Sequence, residues 1–173
     1  MSSTRGNTLS CCIEELDSGD PGWRELVEVI TGEGQEKEAF DPFFGRFPRH
    51  FVAARQSGRV VGFLMFVVWE IGPHDRGHPV VKRDGRALTE AKIIAFGVPA
   101  AYRRQGIGRA LQEYVLRRAR ALGCYQVRSV SRPSRQANHQ LKLSMGFAVE
   151  PMERDEPSLA FVMPLGPDHG DGC

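Results

Sequence analysis

The chain has 173 residues, 41% of them hydrophobic, which suffices for one domain with a packed core and is short for two. Its 23 basic and 21 acidic residues leave a formal charge of +2, too even a balance to argue for a nucleic-acid partner. The longest apolar run, 60–69, is too short to span a bilayer, and the first residues lack the pattern of a signal peptide. A cytoplasmic protein, monomer or homodimer, with neither nucleic acid nor membrane as partner is therefore expected.

One domain is expected over 9–165, with polar, aperiodic ends at 1–8 and 166–173 that read as flexible. Alternation predicts a first strand over 11–16. The Ser18-Gly19-Asp20-Pro21 run stops it and starts a helix carrying Trp23, Leu26, Val27 and Ile30 on one face. A weaker helical segment covers 37–44, where Asp41-Pro42 and Gly45 oppose a regular helix. Strands at 51–54 and 60–71 flank a hairpin turn at Gln56-Ser57-Gly58-Arg59. Residues 72–89, rich in Gly and Pro and holding His74 and His78, read as an extended loop. A strand over 91–98, a helix over 108–122 stopped by Gly123, a strand over 125–131 and a helix over 134–144 follow. Gly146-Phe147 ends that helix, and strands near 148–152 and 159–164 make a closing hairpin. This order predicts an α/β fold, a single-domain mixed and largely antiparallel sheet flanked by helices on both faces.

The chemistry concentrates where the strand ending at Val98 runs through a basic glycine turn into the next helix. A helix start has unpaired N–H groups and partial positive charge, and Gly106 and Gly108 let phosphates approach the backbone. Arg103, Arg104 and Arg109 add charge that a diphosphate ester could use. A carboxylate introduced at Gly108 is expected to project into that phosphate site. A dinucleotide-binding fingerprint is the nearest rival, but Leu111 stands where its third small residue belongs and no initial βαβ unit surrounds the turn. No cysteine spacing matches a zinc site, and no His, Asp and Glu cluster argues for a metal.

With Arg103 to Gly108 reading Arg-x-x-Gly-x-Gly, the segment resembles the Gcn5-related N-acetyltransferase (GNAT) superfamily. The resemblance extends from about Phe51 to Phe147 and implies acetyl-CoA as co-substrate. It implies that the backbone of Phe96, Gly97 and Val98 pairs with the pantetheine arm. The amides of Arg104, Gln105, Gly106, Ile107, Gly108 and Arg109 would hold the pyrophosphate, beside Arg103. Asn138 is a further candidate for the pantetheine or adenosine end. Where that superfamily places a tyrosine that protonates the leaving thiolate, this chain has Lys142, which could donate a proton or act by charge alone.

Acetyl transfer to an amine needs a polarised thioester and a deprotonated nitrogen. The Val98 amide is the candidate for polarisation. Glu90 is a candidate base, because strict alternation puts Glu90, Lys92, Ile94, Phe96 and Val98 on one face; a solvated strand end is the competing reading. Glu70 is a second candidate base. The acceptor site is expected from the first two helices and the 72–89 segment, with Glu36, Glu38 and Asp41 able to attract a cationic amine. Three functions stay open: an N-acetyltransferase acting on a small primary amine, a protein (lysine or N-terminal) acetyltransferase, and a non-catalytic acyl-CoA-binding sensor domain.

Overall fold

Apolar alternation on either side of a tight turn makes the centre of the sheet, and the remaining elements assemble on it. The computed structural model describes residues 11–152 and 157–166. In chain order the elements are β1 (Cys12–Leu16), α1 (Trp23–Gly32), α2 (Glu36–Ala39), a 3-10 helix (Pro42–Arg46), β2 (Arg49–Gln56) and β3 (Arg59–Glu70). Then come α3 (Pro73–Arg76), β4 (Lys82–Arg83), β5 (Arg86–Ala87), β6 (Thr89–Gly97), a 3-10 turn (Ala100–Tyr102) and α4 (Ile107–Ala121). The chain continues with β7 (Gln126–Ser131), α5 (Gln136–Ser144), β8 (Ala148–Met152) and β9 (Ser158–Pro164). Seven strands form one mixed sheet in the order β1-β2-β3-β6-β7-β9-β8, antiparallel at every pair except β6–β7. The expected α/β class and the closing hairpin are thus present, with β9 inserted between β7 and β8. The expectation of flexible ends falls, apart from Gly166, outside the described residues.

Each face of the sheet carries a core. On one face Leu26 and Ile30 of α1, four residues apart and fully buried, pack with Phe51, Phe63, Met65 and Trp69. On the other Leu111 and Val115 of α4 pack with Leu64, Phe66, Ile93 and Phe161. Burying each such side chain contributes roughly 1.5–3 kcal/mol, so the two stripes fix which faces α1 and α4 cover.

The segment 72–89 is more ordered than an extended loop. It holds one turn of helix, α3, and a two-stranded hairpin turning at Asp84 and Gly85, both with positive φ (50° and 76°). Bonds from Ile71 N–H to Leu88 O and from Val81 N–H to Ile71 O, both 2.9 Å, tie it to the end of β3. The weak helical segment resolves into α2 and the 3-10 helix, whose start is capped by Asp41 Oδ1 accepting from Phe43 N–H at 2.8 Å.

Two irregularities of β6 shape the site. Its parallel pairing with β7 runs only from Glu90–Gln126 to Ile93–Ser129, and beyond that the strands part. Against β3, Met65 pairs with Ala95 but Phe66 pairs with Ile93, so Ile94 is an extra, bulged residue. The bulge corrects the expected parity. Ala91 and Ile93 face the α4 core before it, whereas Phe96 and Val98 face that core after it. Glu90 and Lys92 therefore point to the opposite face from Phe96 and Val98.

Candidate active site

The turn between β6 and α4 is built around two left-handed residues, Arg104 (φ 61°) and Gly106 (φ 79°), the latter being the residue before the first turn of α4. Alongside it lies a cavity of about 720 Å³ lined by Phe96, Gly97, Val98, Arg103, Arg104, Gly106, Ile107, Gly108 and Arg109, with Asn138 and Leu141 of α5 opposite. Of the residues expected at the cofactor site, Gln105 does not line this cavity; its Oε1 accepts from Gln56 Nε2 at 3.4 Å. Asn138 lines it, and its buried Oδ1 has no hydrogen-bond partner among the described residues, as suits an incoming donor. Tyr102 and residues 134–137 also line the cavity and were missed in the sequence; they matter because the start of a second helix, α5, faces the same space.

Gly108 lines the larger cavity, but a side chain there would not project into it as expected. A Cβ there would lie 3.2 Å from Phe96 Cζ and 3.3 Å from Leu141 Cδ2. Its missing side chain lets the Phe96 ring and α5 close on α4, and a carboxylate would meet packed carbon rather than phosphate. Arg109 donates from a terminal guanidinium nitrogen to Ser144 Oγ at 2.8 Å, and Arg103 Nε donates to Val98 O at 2.8 Å.

A second cavity, of about 490 Å³, lies against the part of β6 before the bulge. Lys92, Ile93 and Ile94 line it, with Val130 of β7, Trp69 of β3, and Lys37, Glu38, Asp41, Phe43 and Phe44 from α2 and the 3-10 helix. His74 of α3 completes the wall, packing against Phe47 (centroids 4.8 Å) and Trp69 (5.4 Å). His78 and Glu36 are not among the lining residues. The two cavities thus border one strand on either side of the point where β7 parts from it, the smaller up to the bulge and the larger after it.

At that point of separation lies Lys142, which is fully buried. Its Nζ donates to Ser129 Oγ at 2.6 Å, and Ser129 is the last β7 residue still paired with β6. Nζ also stands 5.4 Å from the centroid of the Phe161 ring. Burial, and then the charge of Lys92, push the Lys142 ammonium down to a pKa of about 7. The neighbouring His139 is buried too, with Nε2 3.0 Å from Ser131 Oγ, and its pKa is lowered by burial and by Lys142.

The two carboxylates singled out as bases are placed differently. Glu70 is exposed at the end of β3 and lines neither cavity. Glu90 is 1% exposed and does not line the second cavity, although Trp69, which bonds to it, does. Trp69 Nε1 donates to it at 2.9 Å and Gln126 Nε2 at 2.6 Å, and an Arg128 guanidinium nitrogen stands 3.9 Å away. Glu90→Gln is expected to cost about 2 kcal/mol of stability, because an amide sets donors against donors in a buried cluster. Chemical denaturation reads this as a lower midpoint; an unchanged midpoint would mean that the cluster rearranges freely.

Among the described residues, no group of three or more His, Cys, Asp and Glu could hold a metal ion, and no helix is long and apolar enough to cross a membrane. Comparison with curated proteins gives no match. Among solved structures, the chain is similar to Arabidopsis thaliana NAA60 in complex with acetyl-CoA, with 16% identity, a TM-score of 0.69, and 90% of this chain and 99% of that one covered. It is also similar to a GNAT family acetyltransferase from Elizabethkingia anophelis with acetyl-CoA bound, at 15% identity and a TM-score of 0.59, covering 90% and 98%. The GNAT domain of S. lividans PAT gives 18% identity and a TM-score of 0.64, covering 88% and 89%. At these identities the likeness is one of fold. A family model carries the assignment further, matching residues 21–147 from α1 through the glycine turn to the end of α5, and the chain belongs to the acetyltransferase (GNAT) family.

Proposed function

We propose that the protein moves the acetyl group of acetyl-CoA onto a primary amine by direct attack within a ternary complex. The observation that carries this reading is the pair of cavities bordering one strand on either side of its bulge. In this reading the larger cavity takes the CoA, with the diphosphate on the amides that open α4 and the pantetheine arm along Phe96 to Val98. The NAA60 and Elizabethkingia structures, both of this fold, hold acetyl-CoA. The smaller cavity takes the acceptor, whose ammonium Glu38 and Asp41 can pair with beside the opposing charges of Lys37 and Lys92, and whose carbon body Phe43, Phe44 and Trp69 cover.

The Val98 amide polarises the thioester carbonyl. Lys142, with a pKa of about 7, is neutral in part at neutral pH; fully buried and lining neither cavity, it accepts a proton from the acceptor ammonium through a water relay and not by direct contact. The freed nitrogen forms the C–N bond as the C–S bond breaks. Lys142 returns its proton to the sulfur, and the second proton lost by nitrogen goes to solvent. Glu90 then serves to hold Trp69 and the cavity floor in place.

Free-thiol release from acetyl-CoA across a panel of small amines and short peptides, with mass detection of acetylated product, tests the proposal. Product on small amines or on peptides assigns the acceptor class; the similar NAA60 has also been solved with a bisubstrate analogue. Tight acetyl-CoA binding with no product on any amine would favour the non-catalytic sensor instead.

A further inference from the structure

Once β7 has peeled away, the free edge of β6 carries N–H and C=O groups that need partners. In a strand both polar groups of a residue point to the same edge, and at Phe96 that edge is the open one. The turn after α1 supplies its partner. Gly34, at φ 69°, closes α1 with bonds from its own N–H to Thr31 O (2.9 Å) and from Gln35 N–H to Ile30 O (3.2 Å). This directs the Gln35 side chain, 8% exposed, onto Phe96. Gln35 Nε2 donates to Phe96 O at 2.6 Å, and Phe96 N–H donates to Gln35 Oε1 at 2.9 Å. Two residues further on, Val98 O accepts from Arg103 Nε at 2.8 Å, and an Arg103 terminal nitrogen stands 3.5 Å from Glu33 on the same turn.

A carboxamide side chain presents the same N–H and C=O pair as an amide of the pantetheine arm, and a carboxylate beside Arg103 occupies the guanidinium as a phosphate would. We propose that the turn 33–35 is a latch: Gln35 and Glu33 occupy the docking edge of β6 in the free protein and give it up to the pantetheine and diphosphate of the cofactor. The inference rests on reading the larger cavity as the acetyl-CoA site. The latch leads straight into Lys37, Glu38 and Asp41, so its release moves the chain that walls the acceptor cavity. Cofactor loading and acceptor-site shape are thereby connected through a few residues.

Gln35→Met keeps the length of the side chain and removes both bonds to Phe96. Calorimetry on the variant is expected to show acetyl-CoA binding about tenfold tighter, since the cofactor no longer competes with the carboxamide. Adenosine 3′-phosphate 5′-diphosphate, which keeps the diphosphate and lacks pantetheine, is expected to bind both proteins alike. Glu33→Gln, which leaves the Phe96 contact intact, is expected to tighten acetyl-CoA about threefold. Hydrogen exchange at the Phe96 amide supplies a second readout: slow in the free protein, fast in free Gln35→Met, and slow again in both once acetyl-CoA is bound. Unchanged or weaker acetyl-CoA binding by Gln35→Met would overturn the latch, as would a Phe96 amide that still exchanges fast in its acetyl-CoA complex. Failure of adenosine 3′-phosphate 5′-diphosphate to bind even the wild-type protein would instead remove the acetyl-CoA reading, and the latch with it.

Discussion

Gly106→Asp is expected to weaken acetyl-CoA binding about 100-fold, while Gly106→Asn, of the same size and shape, stays within about threefold of the wild-type protein. Gly106 is the residue before α4 and lines the larger cavity, and nothing lies within 4 Å of where its Cβ would be. Its φ of 79° is left-handed, a conformation that Asp and Asn both tolerate better than other residues with a Cβ. Both variants therefore share a backbone cost of about 1 kcal/mol, and the positive end of α4 favours a carboxylate at that point. What separates them is charge. A carboxylate about 5 Å from a diphosphate costs about 3 kcal/mol per facing charge at an effective dielectric constant of 20, which is more than two powers of ten in affinity. Added salt should shrink the Asp penalty and leave the Asn value alone. Equal weakening by both variants would mean that no anion sits on this turn.

How far the sequence discloses this site depends on the range over which each feature is set. The glycine turn is legible because helix-start chemistry is local: Gly106 and Gly108 precede the apolar spacing of Leu111 and Val115, and all four are in place in the structure. The bulge at Ile94 is not legible, since it arises from register against β3, and one extra residue suffices to turn Phe96 away from the face of Glu90. The 72–89 hairpin escapes for another reason. Strands of two residues are too short to show a period, and its one local signal is the Asp84-Gly85 pair at the turn.

Longer-range features are harder still. Gln35 meets Phe96 across 61 positions, so no pattern in the sequence marks it as anything but a polar residue after a helix. His139 reads as a surface histidine, yet α5 lays it on Phe161, with ring centroids 5.1 Å apart. Lys142 stands out in the sequence only through its place in the family motif. Its burial follows from α5 crossing β7 and β9, where Ser129 and Phe161 receive it. The family match reaches back to residue 21, whereas the sequence alone carries the resemblance only from about Phe51, because α1 and α2 match in element order without a motif.

Lys142→Met is expected to lower kcat about 100-fold with acetyl-CoA affinity unchanged, and to erase an inflection near pH 7 through which the wild-type rate rises. The same residue leaves a mark on stability. Its folded pKa of about 7 lies below its ordinary value of 10.5, so between these values the unfolded chain binds a proton that the folded one lacks. Unfolding free energy therefore rises with pH across that window, by up to about 1.4 kcal/mol per unit, and levels off above it. Below pH 7 both states carry the proton, and the cost of burying the ammonium is present in full. The methionine variant should lack this rise and be the more stable protein at pH 6. Lys92 and His139 are the titratable neighbours that interact with the amine. Lys92→Met should move the kinetic inflection to higher pH by removing a like charge. His139, whose own pKa is lowered, contributes below the window and is separated by its own alanine variant. If Lys142→Met loses the stability slope and yet keeps the wild-type kcat, the lysine is a buried structural group, and proton transfer passes to solvent.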